Sequence, residues 1–418
     1  MKKTISKFYI LLANDSLYRN SIYLMLSTGV MTFLGFFFWI INTHLYSAEQ
    51  VGIGTTLISV MTLISGFSIL GLGNGLIKYL PTSDRKNKKI NTSFTLVALM
   101  SILISVIYLI FLKTFSPKLL FVRENIIFSL LFILSVVFFS LNTISETVFM
   151  AYRSSKFVLI KNVIISVVKL ILPIFLVALG AYGIFMSTGI AIAVAFLFSL
   201  IILKLRFGFL LKPIIERSIV KRMTIFSLGT YAAVLISGLP ATILPILITN
   251  LMGAKFSAYF YLDMMVAALL YVIPVATSQA LFVEGSYSET ELKVHLKKAI
   301  KIISIIIIPA IIIIFLFGNY ILLAFGKEYS NEGFILLKFL SISGVFISIN
   351  GIGNAILFVK HKIKLLILVC LIATTVILSL SAILMKINSF GIIGVGIGWT
   401  VGQGITALIY LLLIKRLL

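Results

Sequence analysis

Acidic residues are scarce in this sequence. Only 12 of its 418 residues are Asp or Glu, against 35 Lys and Arg, and the net charge is +23. Charge of either sign makes up 11% of the chain, while hydrophobic residues make up 61%. A water-soluble fold has no interior large enough for that much apolar surface, so the solvent is a bilayer. The single cysteine, Cys370, excludes an internal disulfide and a cysteine-based metal site. The three histidines, His44, His295 and His361, are too scattered to form a metal cluster. A phosphate-binding loop is missing as well: Gly71-Leu72-Gly73-Asn74-Gly75 is glycine-rich but lacks the lysine and hydroxyl residue that such a loop needs. No loop is long enough to form a soluble catalytic domain. The expectation is therefore a membrane protein that is not an enzyme and calls for no cofactor.

What is present is a series of apolar runs. A spanning helix needs about 20 mostly apolar residues, and twelve runs qualify: 21–43, 51–73, 92–112, 125–150, 157–179, 184–203, 223–251, 260–283, 300–317, 334–358, 363–385 and 391–414. Backbone groups in lipid must be satisfied within the segment, which favours helices; a barrel would show short alternating strands. The fold class is therefore all-α and polytopic. The basic lead-in before residue 20 is followed by a run too long for a cleavable signal, which predicts a retained anchor.

The basic residues test this count independently. With the N-terminus inside, 27 of the 35 Lys and Arg fall in alternate, inner loops, six fall in outer loops, and Lys169 and Lys338 fall within spans. A miscounted helix would scramble that alternation, so the pattern predicts twelve spans with both termini cytoplasmic. It also accounts for the positive charge without a nucleic-acid partner.

The chain carries a repeat. Ser140-Leu141-Asn142-Thr143-Ile144-Ser145-Glu146 is echoed by Ser348-Ile349-Asn350-Gly351-Ile352-Gly353-Asn354, 208 positions on. Tyr182-Gly183-Ile184 pairs with Phe390-Gly391-Ile392 at the same offset. The pattern predicts two six-helix lobes, 1–205 and 223–418, joined by a basic cytoplasmic linker over 206–222. Six spans per lobe make them parallel repeats about an axis along the membrane normal. Prolines 173, 240, 245, 274 and 309 lie inside apolar runs, and span seven, with two of them, is the expected bent helix. Gly394, Gly398 and Gly402 form a small-residue face for close helix packing.

Ionisable residues inside spans are candidates for function. Lys169 stands at the middle of the run 157–179, too deep to snorkel, where it would meet an anionic head group or a structural polar partner. Glu146, near the inner end of span four, would carry a coupling ion or reach interfacial water and Arg153. Asn142 and Asn350 occupy equivalent places and would bind sugar or join helix to helix. Asp263, at the start of span eight near the outer face, is a second coupling candidate in a place where solvation is cheap. Lys78 and Lys161, near the inner mouth, would attract phosphate or mark the inner face.

The stretch Leu45-Tyr46-Ser47-Ala48-Glu49-Gln50-Val51-Gly52, with Gly71-Leu72-Gly73, Lys78-Tyr79-Leu80-Pro81 and Phe325-Gly326-Lys327-Glu328-Tyr329, resembles the polysaccharide-exporter branch of the MOP superfamily, the Wzx-type oligosaccharide flippases. The resemblance covers essentially the whole chain. It implies translocation of a polyprenyl-pyrophosphate-linked oligosaccharide across the cytoplasmic membrane, for cell-surface polysaccharide, by two lobes forming a V-shaped cavity with alternating access. It further implies contact with membrane lipid, coupling to a proton or sodium gradient, and association with a glycan polymerase or export machinery. In the related lipid II flippases, arginines of the first two spans contribute to a cationic cavity; here no Lys or Arg lies between Asn20 and Lys78. Lys169 takes the pyrophosphate in this reading, with Lys161 near the entrance. Two rivals remain. A multidrug antiporter of the same superfamily would favour buried carboxylates, and a membrane enzyme of glycan assembly would favour a long outer loop or a cluster of acid, base or arginine residues.

Overall fold

The computed structural model describes residues 16–287, 292–387 and 389–417. Among these residues, twelve helices are long and apolar enough to cross a membrane. We number them α1 (Ser16–Leu45), α2 (Ala48–Ser68), α3 (Lys86–Ile110), α4 (Ile126–Ala151), α5 (Lys156–Phe175), α6 (Ala181–Phe207), α7 (Arg217–Leu251), α8 (Ala254–Tyr287), α9 (Leu292–Leu323), α10 (Lys327–Val359), α11 (Ile363–Met385) and α12 (Ile393–Leu417). Each overlaps one of the apolar runs. The chain is a multi-pass integral membrane protein.

Helix ends depart from the runs where the backbone turns. The second run extends to residue 73, but α2 stops at Ser68 because Leu70 and Gly71 take left-handed conformations (φ 53° and 72°), and a short helix, Leu72–Tyr79, follows. The fifth run extends to 179, but α5 ends at Phe175, just after Pro173, and gives way to a 3₁₀ turn.

Two compact units emerge. The first comprises the described residues up to Tyr46 together with Val60–Tyr231. The second comprises Ser47–Ser59 and the chain from Ala232 onward. The first half of α2 thus belongs with the second unit, for a polar and steric reason. Thr56 Oγ1 lies 2.6 Å from Thr249 Oγ1 and 3.2 Å from Ser257 Oγ. Gly52 rests on the Ala254 backbone, with no room for a Cβ.

The basic segment before α7 is not a loose tether. Asn91 of α3 donates to Leu210 O (2.8 Å) and accepts from Lys212 N (2.8 Å), and Thr92 accepts from Glu216 N (3.3 Å). Phe209 is buried in the core of the first unit with Phe94 and Phe196. Two buried side chains of α3 therefore satisfy backbone groups that have no helix to do so.

Backbone geometry repeats with the 208-residue offset. Tyr152 and Lys360 end α4 and α10 with identical dihedrals, φ −80° and ψ 4°. Arg153 and His361, the next residues, are both left-handed, at φ 52° and 54°. Ser154 N then bonds Phe149 O and Lys362 N bonds Leu357 O, each at 2.9 Å. The same terminal turn is built twice from different side chains.

The glycine face of α12 packs on α11 in the second unit. A Cβ on Gly398 would lie 2.7 Å from Ser381 N, and one on Gly394 would lie 2.8 Å from Leu384 Cβ. In α7, Pro240 has no amide hydrogen to give to Ile236 O, four residues earlier. Thr374 of α11 supplies the missing donor at 2.7 Å. Thr374→Val keeps the shape and removes that donor. It is expected to destabilise the protein by about 1 kcal/mol, read as a lower unfolding midpoint in detergent, whereas Thr374→Ser is expected to leave the midpoint near wild type.

Candidate functional site

In the first unit, α1 and α5 run side by side, joined along their length by polar contacts. Asn20 Oδ1 accepts from Ser155 N (2.8 Å), Asn162 donates to Ser27 Oγ (2.8 Å), and Tyr46 Oη donates to Pro173 O (2.7 Å). Lys169 falls within this register. Its Nζ stands 4.1 Å from the centroid of Phe38 and 6.0 Å from that of Trp39. The side chain is half-buried, and among the described residues no carboxylate or hydrogen-bond acceptor meets it. Lys169 is not at the midpoint of its helix: α5 ends six residues later, at Phe175, because the run 157–179 includes the 3₁₀ turn. An ammonium over an aromatic face keeps part of its electrostatic stabilisation and all its capacity to donate.

One face of α4 supplies the strongest polar cluster. Asn142, Ser145 and Glu146 stand at i, i+3 and i+4, a spacing that puts them on the same side of a helix. Lys161 of α5 reaches into them with its side chain fully buried. Its ammonium donates to Asn142 O (2.8 Å), Asn142 Oδ1 (3.0 Å) and Ser145 Oγ (3.4 Å), and Glu146 Oε2 lies 3.4 Å away. Ser145 in turn donates to Asn142 O (2.7 Å). Lys161 lies five residues from the start of α5, and its three donors are taken up within the protein. Glu146 pairs with Lys161, not with Arg153.

The equivalent place in the second unit is neutral. With the 208-residue offset, Glu146 becomes Asn354, Ser145 becomes Gly353 and Lys161 becomes Val369. Asn350, the counterpart of Asn142, donates to Gln403 Oε1 (2.7 Å) and Gln403 O (3.2 Å), while its own Oδ1 is buried without a partner. Tyr410 donates to Asn354 Oδ1. The Tyr410 ring lies where a Cβ on Gly353 would stand, so the loss of the serine side chain is what admits the tyrosine. A cavity of about 70 Å³ remains among Asn350, Asn354, Val369, Gln403 and Tyr410. Sequence reasoning missed Gln403 and Tyr410 as parts of this site; an amide in the last apolar run was the available signal.

Asp263 also departs from expectation. It sits more than two turns inside α8, which begins at Ala254, and is 1% exposed, so it is not solvated at an outer face. Its carboxylate lies against Gly333 of α10, where an added Cβ would come within 2.7 Å of Oδ1, and Oδ2 has no hydrogen-bond partner. A bare carboxylate buried in that way is expensive unless a proton or a cation joins it.

Lys78, on the short helix Leu72–Tyr79, is exposed and stands 3.6 Å from the centroid of Phe226. Arg222 stacks over the neighbouring Tyr79 at 4.8 Å. Lys78 and Lys169 are thus held on aromatic faces, and only Lys161 is enclosed by oxygen. Among the described residues, no group of three or more His, Cys, Asp or Glu could hold a metal ion.

The Lys161 cluster yields a quantitative expectation. Lys161→Met leaves Glu146 without its partner and Asn142 Oδ1 without its lysine donor, and is expected to destabilise by about 3 kcal/mol. Glu146→Gln, which leaves the lysine its contacts to Asn142 and Ser145, is expected to cost less. Thermal unfolding of the two single variants and the double variant in detergent measures this; a double variant as unstable as the sum of the singles would show that the pair is not coupled.

No protein-family model matches the chain, and no curated protein matches it. Solved structures do match. An inward-facing multidrug resistance MATE family transporter of the MOP superfamily aligns over 97% of this chain and 98% of its own, at 17% identity and a TM-score of 0.74. The lipid II flippase MurJ, in an inward closed conformation, aligns over 94% and 87%, at 16% identity and a TM-score of 0.75. A MOP superfamily transporter from Pyrococcus furiosus, whose binding pocket of reversed polarity suggests a different function, aligns over 96% of this chain and 95% of its own, at 17% identity and a TM-score of 0.63. The chain therefore has the fold shared by MATE transporters of the MOP superfamily and the MurJ flippase.

Proposed function

We propose that this protein is a flippase that moves a polyprenyl-pyrophosphate-linked oligosaccharide across the cytoplasmic membrane by alternating access, supplying cell-surface polysaccharide. The observation that carries the reading is Lys169, a cation within a membrane helix that meets no carboxylate or other acceptor among the described residues. A charged, sugar-bearing head group cannot cross about 30 Å of hydrocarbon unaided. An uncompensated ammonium at that depth gives the pyrophosphate a partner, and Asn142 and Asn350 each bury an amide within their own units. The fold shared with MurJ supports a lipid-linked substrate. The scarcity of acidic residues weighs against a cationic one.

Asp263 is the better of the two coupling candidates. Glu146 already has a cation, Lys161, at 3.4 Å, whereas Asp263 is buried with one oxygen unpartnered. A proton or sodium ion carried there would draw on the membrane potential, worth about 2.3 kcal/mol per charge and 100 mV. The same carboxylate also favours a second reading, cation-coupled multidrug antiport, which the MATE-like fold supports equally.

Reconstituted vesicles separate the two readings. Lys169→Ala is expected to lower translocation of a fluorescent polyprenyl-pyrophosphate oligosaccharide at least tenfold at unchanged protein level, and Lys169→Arg is expected to retain part of it. Full activity of the alanine variant would remove Lys169 from the substrate path. Asp263→Asn is expected to abolish the dependence of translocation on an imposed proton or sodium gradient, whereas Glu146→Gln retains it. Gradient-driven uptake of ethidium, with no movement of the lipid-linked sugar, would establish the antiporter in place of the flippase.

A further inference from the structure

A second cationic feature lies in the first unit, at the end where α1 begins and the turn between α4 and α5 reaches it. Arg19, Asn20 and Tyr23 of α1, with Arg153, Ser154 and Lys156 of the turn and of α5, line a concavity of about 290 Å³. Three of these six residues are cations and none is acidic. Arg19, Arg153 and Lys156 are exposed, and among the described residues none of them meets a carboxylate. In this they differ from Arg85 and Lys88 of the same unit, which share Glu216 at 3.5 and 3.8 Å.

The turn that carries two of the cations is pinned. Asn20 Oδ1 accepts from Ser155 N, Arg153 N bonds Met150 O at 2.9 Å, and Ser154 N bonds Phe149 O. The left-handed backbone at Arg153 is common to both repeats, since His361 shares it, so the arginine is not required for the turn itself. Basic residues scattered along a loop satisfy the inside-positive pattern without forming a concavity. Here three like charges are gathered around one, and their mutual repulsion is relieved by an anion. Two guanidinium forks and an ammonium, with an amide and a phenol beside them, suit the several oxygens of a phosphate. The ends of membrane helices lie at head-group depth, where such groups are concentrated.

We propose that this concavity binds a phosphate-bearing head group, either the phosphate of an anionic phospholipid or the pyrophosphate of a lipid-linked molecule. The site is read from its own cations and does not rest on the translocation reading. The full-length protein in phosphatidylcholine nanodiscs is titrated with inorganic pyrophosphate. In parallel, retention of phosphatidylglycerol against phosphatidylcholine is measured by native mass spectrometry. The double variant Arg153→Gln/Lys156→Gln, and separately Arg19→Gln on the other helix, are compared with the charge-matched control Lys113→Gln/Lys118→Gln.

At least tenfold weaker pyrophosphate binding or phosphatidylglycerol retention in the double variant, with a smaller loss in Arg19→Gln and none in the control, supports the site. If the loss is confined to pyrophosphate, the occupant is a lipid-linked pyrophosphate; if it is confined to phosphatidylglycerol, the occupant is bilayer lipid. Binding unchanged in both measurements, or reduced equally in the control, overturns the proposal. Because the three cations are exposed, unfolding midpoints within 2 °C or so of wild type are expected and confirm that the variants are folded.

Discussion

A polar group buried among membrane helices has no water to turn to, so it must find its partner within the protein. Most of what distinguishes this molecule follows from that constraint. Asn91 and Thr92 satisfy the irregular segment before α7. Thr374 replaces the amide that Pro240 lacks. Lys161 is tolerable because four oxygens, from Asn142, Ser145 and Glu146, surround its ammonium. Each of these is a donor–acceptor match between segments far apart in the chain, and it fixes how those segments lie against each other.

The two repeats show how one backbone plan can hold different polar contents. The turns after α4 and α10 agree to within a few degrees. Yet the first unit places a lysine and a glutamate at this point, and the second places a valine and an asparagine. A single change of Ser145 to its counterpart Gly353 opens the space that Tyr410 fills. The charge pair is thereby confined to one unit, and the other keeps a small neutral cavity with an unpartnered amide oxygen. Duplicated helices can in this way diverge in chemistry while their packing is conserved, because helix termini are set by backbone bonds and not by the side chains that line the interior.

Unsatisfied groups carry the functional argument, since a satisfied one has nothing left to offer a ligand. Lys161, Asn142 and Glu146 already satisfy one another between α4 and α5. Among the ionisable candidates, Lys169 in the first unit meets no acceptor among the described residues, and Asp263 in the second has one carboxyl oxygen without a partner. The fold is shared by proteins described as multidrug transporters and as a lipid II flippase, so the fold alone does not choose among substrates.

The sequence by itself determined the helical class, the twelve spans and the repeat. Long apolar runs in lipid leave the backbone no other form, and the alternation of basic loops counts them a second time. It also picked out Asn142, Glu146, Lys161, Lys169, Asn350 and Asp263 as exceptions to apolarity. Only the tertiary structure decided which of these exceptions have partners. Lys161 and Lys169 are two turns apart on one helix and look alike in the sequence, but one faces the polar side of α4 and the other faces the aromatic side of α1. Position along a span fixes depth in the bilayer; it does not fix which neighbouring helix a side chain meets. That depends on packing between segments far apart in the chain, and it separates a lysine whose donors are all taken from one that meets only aromatic faces among the described residues.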